Sequence, residues 1–295
     1  MDKLIERELA TRNPLVAAPA LAVQFFLIPL AVVAVTVMVY LGFRSLIADD
    51  RTAQDYLTEI RNGGTSRRWP AAYELSRVMA NPKVRADPAL GPALVRALEE
   101  SNDSRVRRYL ALALGRLDPP LPAQAVAALT KALDDPDSEA RISAIWALGS
   151  SGDASVAPRL QPLYESSDAG IRKMVVYAVG ALPGETQIPT LRTALHDSAA
   201  DVRWNAAVAL ARHGNHEGVP VVRQMLDRSY VEQIVKRDVR QDEDQDPVAD
   251  VMISGLRAAA ALKDDVLKPS VASLSQQDRS LRVRQAALEA LKVMG

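Results

Sequence analysis

One nine-residue block recurs along the chain, and this repetition limits the possible fold more than any other feature. The block has the form V-R-x-x-A-A-x-A-L, and its clearest copy runs from Val202 to Leu210. Its arginine stands at positions 68, 107, 141, 172, 203 and 284, and Met252 replaces it in a seventh, weaker copy. Successive copies are 39, 34, 31, 31, 49 and 32 residues apart. A period just above thirty predicts stacked, self-similar units.

Each unit is predicted to be a pair of antiparallel helices. Aromatic residues make up only 4% of the chain, while Ala, Leu and Val are abundant, which favours helices over sheets. Polar turns containing Asp and Ser precede most blocks and suit helix N-caps. Helix ends are predicted at the glycines that follow four blocks, Gly115, Gly149, Gly180 and Gly214. Because one helix pair cannot bury its own apolar face, about seven pairs are expected to stack into an all-α solenoid.

This pattern resembles the HEAT-repeat superfamily, in particular the short bacterial HEAT repeats that also occur in phycobilisome-lyase-like proteins. The resemblance covers roughly residues 54 to 295 and implies a fold, but such solenoids serve many functions. In the family, the Asp of the turn and the Arg of the block usually form a ladder between neighbouring repeats. The resemblance therefore implies structural roles for four pairs, Asp103/Arg107, Asp137/Arg141, Asp168/Arg172 and Asp278/Arg284.

A long apolar segment precedes the repeats. No residue between Arg12 and Arg44 is charged, and the most apolar part runs from Leu21 to Phe43. At about 1.5 Å per residue, this part is long enough to cross a hydrocarbon core of roughly 30 Å. A cleaved signal peptide would have a shorter apolar region and a small-residue cleavage site after it. The predicted organisation is an N-terminal tail (1–14), one transmembrane helix (15–47) and a HEAT-like repeat domain (48–295).

The apolar segment predicts a single-pass protein of a bacterial inner membrane, in contact with the lipid bilayer through residues 21–43. Positive charges flank the segment almost equally, since Lys3, Arg7 and Arg12 precede it and other arginines, beginning at Arg44, follow it. The distribution of Lys and Arg therefore does not settle which side the repeats occupy, although the prediction leans to the cytoplasmic side.

Two positions of the block predict a binding surface. Positions one, five, eight and nine face the core of a helical repeat, whereas positions three and seven lie on the opposite side and are neighbours. In four repeats these two positions hold Trp69, Tyr73, Ile142, Trp146, Lys173, Tyr177, Trp204 and Val208. All three tryptophans of the chain are among them, and outward aromatic side chains are typical of protein-binding hot spots. The alternative is that the rings pack between the second helices of adjacent repeats.

The long step of 49 residues contains an insertion, residues 228–247, which is rich in both charges and is predicted to form a loop. Asp242, Asp244 and Asp246 have the spacing that begins a calcium-binding loop. The match then fails, because Pro247 stands where Gly is needed and Ile253 where the bidentate Glu should be. No calcium site is therefore predicted.

Composition and motifs argue against catalysis and nucleic-acid binding. The 36 basic and 36 acidic residues cancel, and there is no cysteine. A single His-Glu pair, His216-Glu217, cannot supply the di-iron site of the deoxyhypusine hydroxylases, which are HEAT-like enzymes with repeated His-Glu ligands. No phosphate-binding loop or catalytic triad is recognisable. We therefore predict neither a metal nor another cofactor.

These observations together predict a membrane-anchored scaffold or adaptor, and not an enzyme. Its partner is expected to be another membrane protein or the soluble subunit of one. The alternative is an accessory or lyase-like HEAT protein that acts on a chromophore or another small molecule, which the family resemblance also allows.

Overall fold

The structure is a computed structural model that describes residues 27–47, 51–235 and 246–295. The chain divides into two units, one ending at Thr52 and the other running from Ala53 to Gly295. In the first unit, helix α1 spans Ile28–Ile47, and every side chain from Leu27 to Tyr40 is exposed.

The predicted transmembrane span is only partly described. Within the described ranges, no helix combines the length and the apolar character that a membrane crossing requires. Residues 15–26 of the predicted transmembrane helix and the predicted tail, residues 1–14, lie outside the described residues. The membrane anchor therefore stays a prediction.

The second unit is helical, and no strand occurs in the ranges that the structure describes. Its helices are, in chain order, α2 (Ala53–Asn62), α3 (Thr65–Val78), α4 (Pro82–Arg85), α5 (Leu90–Glu100), α6 (Ser104–Leu114), α7 (Ala123–Lys131), α8 (Ser138–Gly149), α9 (Ala157–Leu160), α10 (Ala169–Ala181), α11 (Ile188–Ala194), α12 (Ala200–Arg212), α13 (Val219–Met225), α14 (Arg228–Ile234), α15 (Pro247–Leu262), α16 (Lys268–Gln277) and α17 (Leu281–Met294). The short helix α9 lies between two 3-10 turns, Ala154–Val156 and Gln161–Glu165.

The helices form seven repeats, which confirms the predicted all-α repeat architecture. Each copy of the block lies in the second helix of a repeat, and these second helices are α3, α6, α8, α10, α12, α15 and α17. Each second helix packs against the next one along the chain. The first helices of the repeats are α2, α5, α7, α9, α11, α13 and α16.

The block positions predicted to face the core are buried. In α12, Val202, Ala206, Ala209 and Leu210 belong to a single apolar cluster that continues through all seven repeats. The predicted caps are also present: in the turns before α6, α8 and α10, an Asp side chain accepts a hydrogen bond from an amide of the first helical turn. These capping residues are Asp103, Asp137 and Asp168.

The insertion differs from the predicted loop because it begins with a helix, α14. The Asp227 side chain accepts hydrogen bonds from the amides of Ser229 and Tyr230, and Val231 is buried in the core. A capped turn with one buried side chain is therefore enough to start a helix where the apolar spacing did not indicate one. Residues 236–245 lie outside the described residues.

Helices end at or within two residues of the four glycines, as predicted, and three of these glycines also lie where the next second helix comes close. Only Gly214 has a left-handed backbone, with φ +66°. A Cβ atom at Gly115 or Gly149 would lie 2.6 Å from the Cα of Ala147 or Ala178, in the next second helix. At Gly180, which lies inside α10, the added Cβ would overlap the Cβ of Ala209. These glycines allow successive second helices to approach closely.

The arginine ladder is present, but its partners are not those that the family resemblance implied. Arg107 donates two hydrogen bonds, of 2.6 and 2.9 Å, to Asp135 in the turn of the next repeat. Arg172 binds Asp197 in the same way, at 2.8 and 2.9 Å. Asp103, Asp137 and Asp168 cap their own helices instead.

The third buried ion pair is formed by an arginine outside the nine-residue block. The sixth repeat has Met252 in the arginine position, and Arg228 of the inserted helix α14 instead binds Asp278 of the last repeat, at 2.7 and 2.9 Å. Within their own repeats, five block arginines donate to the carbonyl oxygen six residues earlier. These arginines are Arg107, Arg141, Arg172, Arg203 and Arg284.

The close helix contact predicts that Gly180→Ala destabilises the protein. The added methyl group overlaps Ala209, so the two second helices must move apart, at a cost of about 2 kcal/mol in the free energy of unfolding. Gly91→Ala is the matched control, since its Cβ would meet only ordinary contacts at 3.7 and 3.8 Å. We expect the control to gain about 0.5 kcal/mol by restricting the unfolded chain. Equal urea midpoints for both variants would contradict the close-contact explanation.

The buried ion pairs predict acid sensitivity. Hydrogen bonds from Arg172, the amide of Ala199 and Tyr164 hold the pKa of Asp197 down at about 2, although burial opposes the shift. An ordinary Asp has a pKa of about 3.9, so ionised Asp197 contributes about 2 kcal/mol to stability above pH 4, and this is lost as the pH falls towards 2.

Asp197→Asn is therefore expected to lower the free energy of unfolding by about 2 kcal/mol at pH 7 and by progressively less below pH 4. Urea unfolding of both proteins at pH 7, 4, 3 and 2 measures this difference. Glu217→Gln, which removes the exposed ion pair with Arg192, serves as the control and should change stability by less than about 1 kcal/mol. A difference that did not depend on pH would refute the role given to the Asp197 charge.

Candidate protein-binding site

The eight residues predicted to form one binding stripe lie in three separate environments. The first contains Trp69 and Tyr73 of α3. The Arg105 guanidinium lies over the Trp69 ring at 5.6 Å, and Tyr73 meets Tyr109 edge-on, with 5.2 Å between ring centroids. These rings are therefore already engaged by side chains of the next repeat.

The second environment contains Ile142 and Trp146 of α8, which are half-buried and pack against the core. A Cβ at Gly115, in the preceding second helix, would lie 2.8 Å from Cζ3 of Trp146. A Cβ at Gly170, in the following repeat, would lie 3.4 Å from Cδ1 of Ile142. At α8 the side chains therefore pack between adjacent second helices, which is the alternative to a binding stripe.

The third environment brings four predicted residues together. Lys173 and Tyr177 of α10 and Trp204 and Val208 of α12 line one cleft of about 350 Å³. The following repeat contributes the remaining wall, chiefly through Met225, Asp250, Val251 and Ser254. We call this cavity the α10–α12–α15 cleft, and we take it as the candidate site because the predicted residues converge there.

Trp204 is the one residue of the cleft whose burial contradicts its predicted outward position. It is only 6% exposed and belongs to the core cluster. Met225 and Val251, which line the same cleft, come from α13 and α15 of the following repeat, and both of these helices pack against α12. Tyr177, by contrast, is 38% exposed, as its position predicts.

The two carboxylates of the cleft are paired with cations. Asp201 lies 3.1 Å from Lys173, and Asp250 lies 2.7 Å from Arg282 of α17. Asn205 donates through its Nδ2 to the carbonyl oxygen of Asp201 at 2.7 Å. The acidic groups are therefore neutralised from within the repeats.

Three hydrogen-bond donors of the cleft have no acceptor among the described residues. The indole Nε1 of Trp204 is buried and lacks a partner there. Arg212 is exposed, and neither its guanidinium nor the hydroxyl group of Tyr177 has a hydrogen bond or ion pair within that part of the chain. The cleft thus combines an apolar wall with unused donors.

Sequence reasoning missed the residues that belong to no fixed block position. Arg212 follows its block, and Met225 and Val251 lie on either side of the insertion. A periodic pattern cannot place side chains across an irregular step. The only available signal was the step of 49 residues itself, which marked this junction as unlike the others.

A larger cavity, of about 890 Å³, lies among α2, α3, α5 and α6. Arg61, Arg68 and Arg105 line it, but Arg105 binds Asp103 and Arg68 donates to the carbonyl oxygen of Gly63. None of the eight predicted residues lines this cavity, so we do not take it as the candidate site.

The described ranges hold no cluster of three or more His, Asp or Glu side chains that could bind a metal ion. His216 lies 2.8 Å from Asp264 only, at the surface. Of the calcium-like motif, Asp242 and Asp244 lie outside the described residues, and Asp246 caps α15 by accepting a hydrogen bond from the amide of Ala249 at 3.1 Å. Asp246 thus has a structural role.

Comparison with family models identifies the class of protein. The model for HEAT repeats matches residues 91–178 and 163–242, which together cover more than half of the chain. The chain therefore belongs to the HEAT-repeat family. A search among curated proteins finds no match.

Solved structures with the same fold include the complex of CpcE and CpcF of phycocyanin lyase from Nostoc sp. PCC7120. It is 18% identical, with a TM-score of 0.55, over 84% of this chain and 95% of that chain. The Escherichia coli protein YibA is 16% identical, with a TM-score of 0.49, over 81% and 82% of the two chains. Human deoxyhypusine hydroxylase is 17% identical, with a TM-score of 0.36, over 82% and 95%. At 18% identity, the likeness to the phycocyanin lyase complex concerns the fold alone.

Proposed function

We propose that this protein is a membrane-anchored HEAT-repeat adaptor that binds a protein partner at the α10–α12–α15 cleft. The observation that carries the proposal is the convergence of Lys173, Tyr177, Trp204 and Val208 on one cavity. A partly exposed aromatic residue beside a buried one is the composition of a protein-binding hot spot. HEAT solenoids offer extended surfaces of this kind to other proteins.

The proposed anchor rests on residues 21–43. From Leu27 to Tyr40 the described side chains are exposed and mostly apolar, and the apolar sequence extends upstream to Leu21. A continuous exposed apolar surface of this kind favours a lipid environment or a partner helix. We propose the inner membrane of a bacterium as its location.

A membrane tether explains how a small cleft with modest affinity could hold a protein partner. Holding the repeats near the bilayer raises the effective concentration of any partner in the same membrane, so avidity increases without new contacts. The partner is therefore proposed to be another membrane protein or the soluble subunit of one.

A second candidate is an accessory protein that binds a small molecule, as a subunit of a chromophore lyase would. The cleft volume of about 350 Å³ falls in the range of ligand pockets, and the fold resembles that of phycocyanin lyase. We place this candidate second because much of the cleft wall, including Tyr177 and Arg212, is open to solvent.

The anchor predicts that the full-length protein stays in the membrane pellet during an alkaline carbonate wash. Val32→Lys/Val33→Lys is expected to release it, since each charge at the middle of a span costs about 3 kcal/mol. Val266→Lys/Leu281→Lys adds the same charges at exposed positions of the repeats and should remain in the pellet. Release of the wild-type protein by carbonate would exclude a spanning anchor.

The adaptor proposal predicts a stoichiometric protein partner. The full-length protein is purified from native membranes in mild detergent, and the proteins that accompany it are identified and quantified. Tyr177→Ala is expected to remove the partner, because truncating a hot-spot side chain costs about 2 kcal/mol or more of binding free energy.

The choice of variant matters for this experiment. Trp204→Ala is unsuitable, since loss of a buried tryptophan destabilises a core by about 3 kcal/mol or more. Leu281→Ala, at an exposed apolar residue outside the cleft, is the control and should retain the partner. A protein that emerges without a partner contradicts the adaptor, and one that emerges with a bound pigment or metabolite supports the second candidate.

A further inference from the structure

Helix α17 exposes large apolar side chains on the face that the other second helices bury. At position ten, which directly follows the block, Gly115, Gly149 and Gly180 meet the next second helix. Position six lies one turn earlier on the same face, and in the first six repeats its side chain is at most 1% exposed. The residues there are Ala72, Ala111, Ile145, Val176, Ala207 and Leu256. In the seventh repeat, position six holds Leu288, which is 46% exposed.

A second leucine extends this apolar face. Leu281 lies two turns before Leu288 on α17 and is 73% exposed. The first helix of the first repeat is different, since all exposed residues of α2 are polar. They are Gln54, Asp55, Thr58, Arg61 and Asn62. A repeat without a neighbour needs such a polar outer face, so the two leucines indicate a surface that another apolar surface covers.

The face of α17 is not shaped for one more repeat of the same kind. In the first six repeats, position ten holds a small residue. These residues are Ser76, Gly115, Gly149, Gly180, Ala211 and Ala260. In the seventh repeat this position holds Lys292, whose side chain would keep a further second helix at a greater distance. The covering surface therefore meets α17 through the leucines, without the close backbone approach found between the seven repeats.

One helix of the repeat domain matches this face, and it is α17 itself. Among the described residues from Ala53 onwards, no other helix has more than one large apolar side chain in an exposed position. Contact with the first repeat of another copy would place the leucines against the polar residues of α2. Contact between α17 of one copy and α17 of a second copy instead packs leucine against leucine. Such a self-complementary surface defines a two-fold symmetric interface.

We propose that the protein forms a two-fold symmetric dimer through α17. Leu288 lies at the middle of this helix, Leu281–Met294, so an antiparallel contact places the Leu288 side chains of the two copies together at the two-fold axis. Neither Leu281 nor Leu288 lines the α10–α12–α15 cleft, so the dimer has two free clefts and is bivalent. This inference goes beyond the proposed adaptor function and does not depend on it.

The first test measures how many chains each particle of the full-length protein contains in detergent micelles. Size-exclusion chromatography with light scattering, absorbance and refractive index separates the mass of the protein from that of the detergent. We expect two chains for the wild type and one for Leu288→Glu, because two carboxylates at the axis repel each other. Val293→Glu is the matched control, since this exposed valine lies on the same helix but about 140° around it, and it should stay dimeric.

A second measurement locates the contact. The chain contains no cysteine, so Leu288→Cys introduces a single thiol. A short bis-maleimide should join two copies of this variant, and a denaturing gel should show a band of twice the mass of the chain. Val293→Cys, treated in the same way, should give mainly the single chain. Circular dichroism of each variant, compared with the wild type, verifies that its helical content is unchanged.

Four results would overturn the inference. They are one chain per particle for the wild type, a dimer that persists in Leu288→Glu, equal cross-linking at the two cysteine positions, and cross-linking of Leu288→Cys to a different protein in native membranes. A dimer that persists in Leu288→Glu but is lost in Val32→Lys/Val33→Lys would assign the contact to the apolar N-terminal segment. The adaptor function is tested separately, by the partner that accompanies the wild type, and neither outcome there changes the number of chains expected here.

Discussion

The close approach of successive second helices is the contact on which the rest of the structure depends. A glycine near the end of one helix meets the alanine at block position eight of the next, at Gly115/Ala147, Gly149/Ala178 and Gly180/Ala209. This contact brings the helix backbones near enough for a side chain at block position seven to reach the preceding second helix. The Trp146 ring does so, since a Cβ at Gly115 would lie 2.8 Å from its Cζ3.

The sequence predicted the features that repeat within one unit. The block, its period and its capping aspartates were enough to predict second helices with a buried face, and Val202 and Leu210 are buried as expected. Each of these features depends on residues a few positions apart in the chain. Local sequence therefore contains the information that determines them.

Contacts between units were harder to predict. Arg107 pairs with Asp135 of the next repeat, whereas Asp103 caps α6 and binds Arg105. Trp204 occupies the same block position as Trp69 but is buried, at the junction where α12 packs against α13 and α15 of the next repeat. Such contacts depend on the residues of two repeats at once. Across the 49-residue step, the repeat period does not predict which residues of one repeat lie opposite those of the next.

The three buried ion pairs do not occur at every junction between repeats. They tie the second repeat to the third, the fourth to the fifth, and the sixth to the seventh. The junction between the fifth and sixth repeats has instead a single neutral contact at the corresponding place, from Arg203 to the Tyr230 hydroxyl at 3.3 Å.

The repeat domain should therefore deform as a series of stiffer two-repeat segments, with the bending concentrated at the junctions that lack a buried ion pair. The cleft spans one junction that has a buried ion pair and one that lacks it. Helices α10 and α12 belong to one two-repeat segment, and α15 belongs to the next. The α10–α12 side is held by the buried Arg172–Asp197 ion pair, whereas the α12–α15 side has no such buried pair among the described residues. Of the two spacings, that between α12 and α15 should therefore be the one that a ligand in the cleft changes more readily.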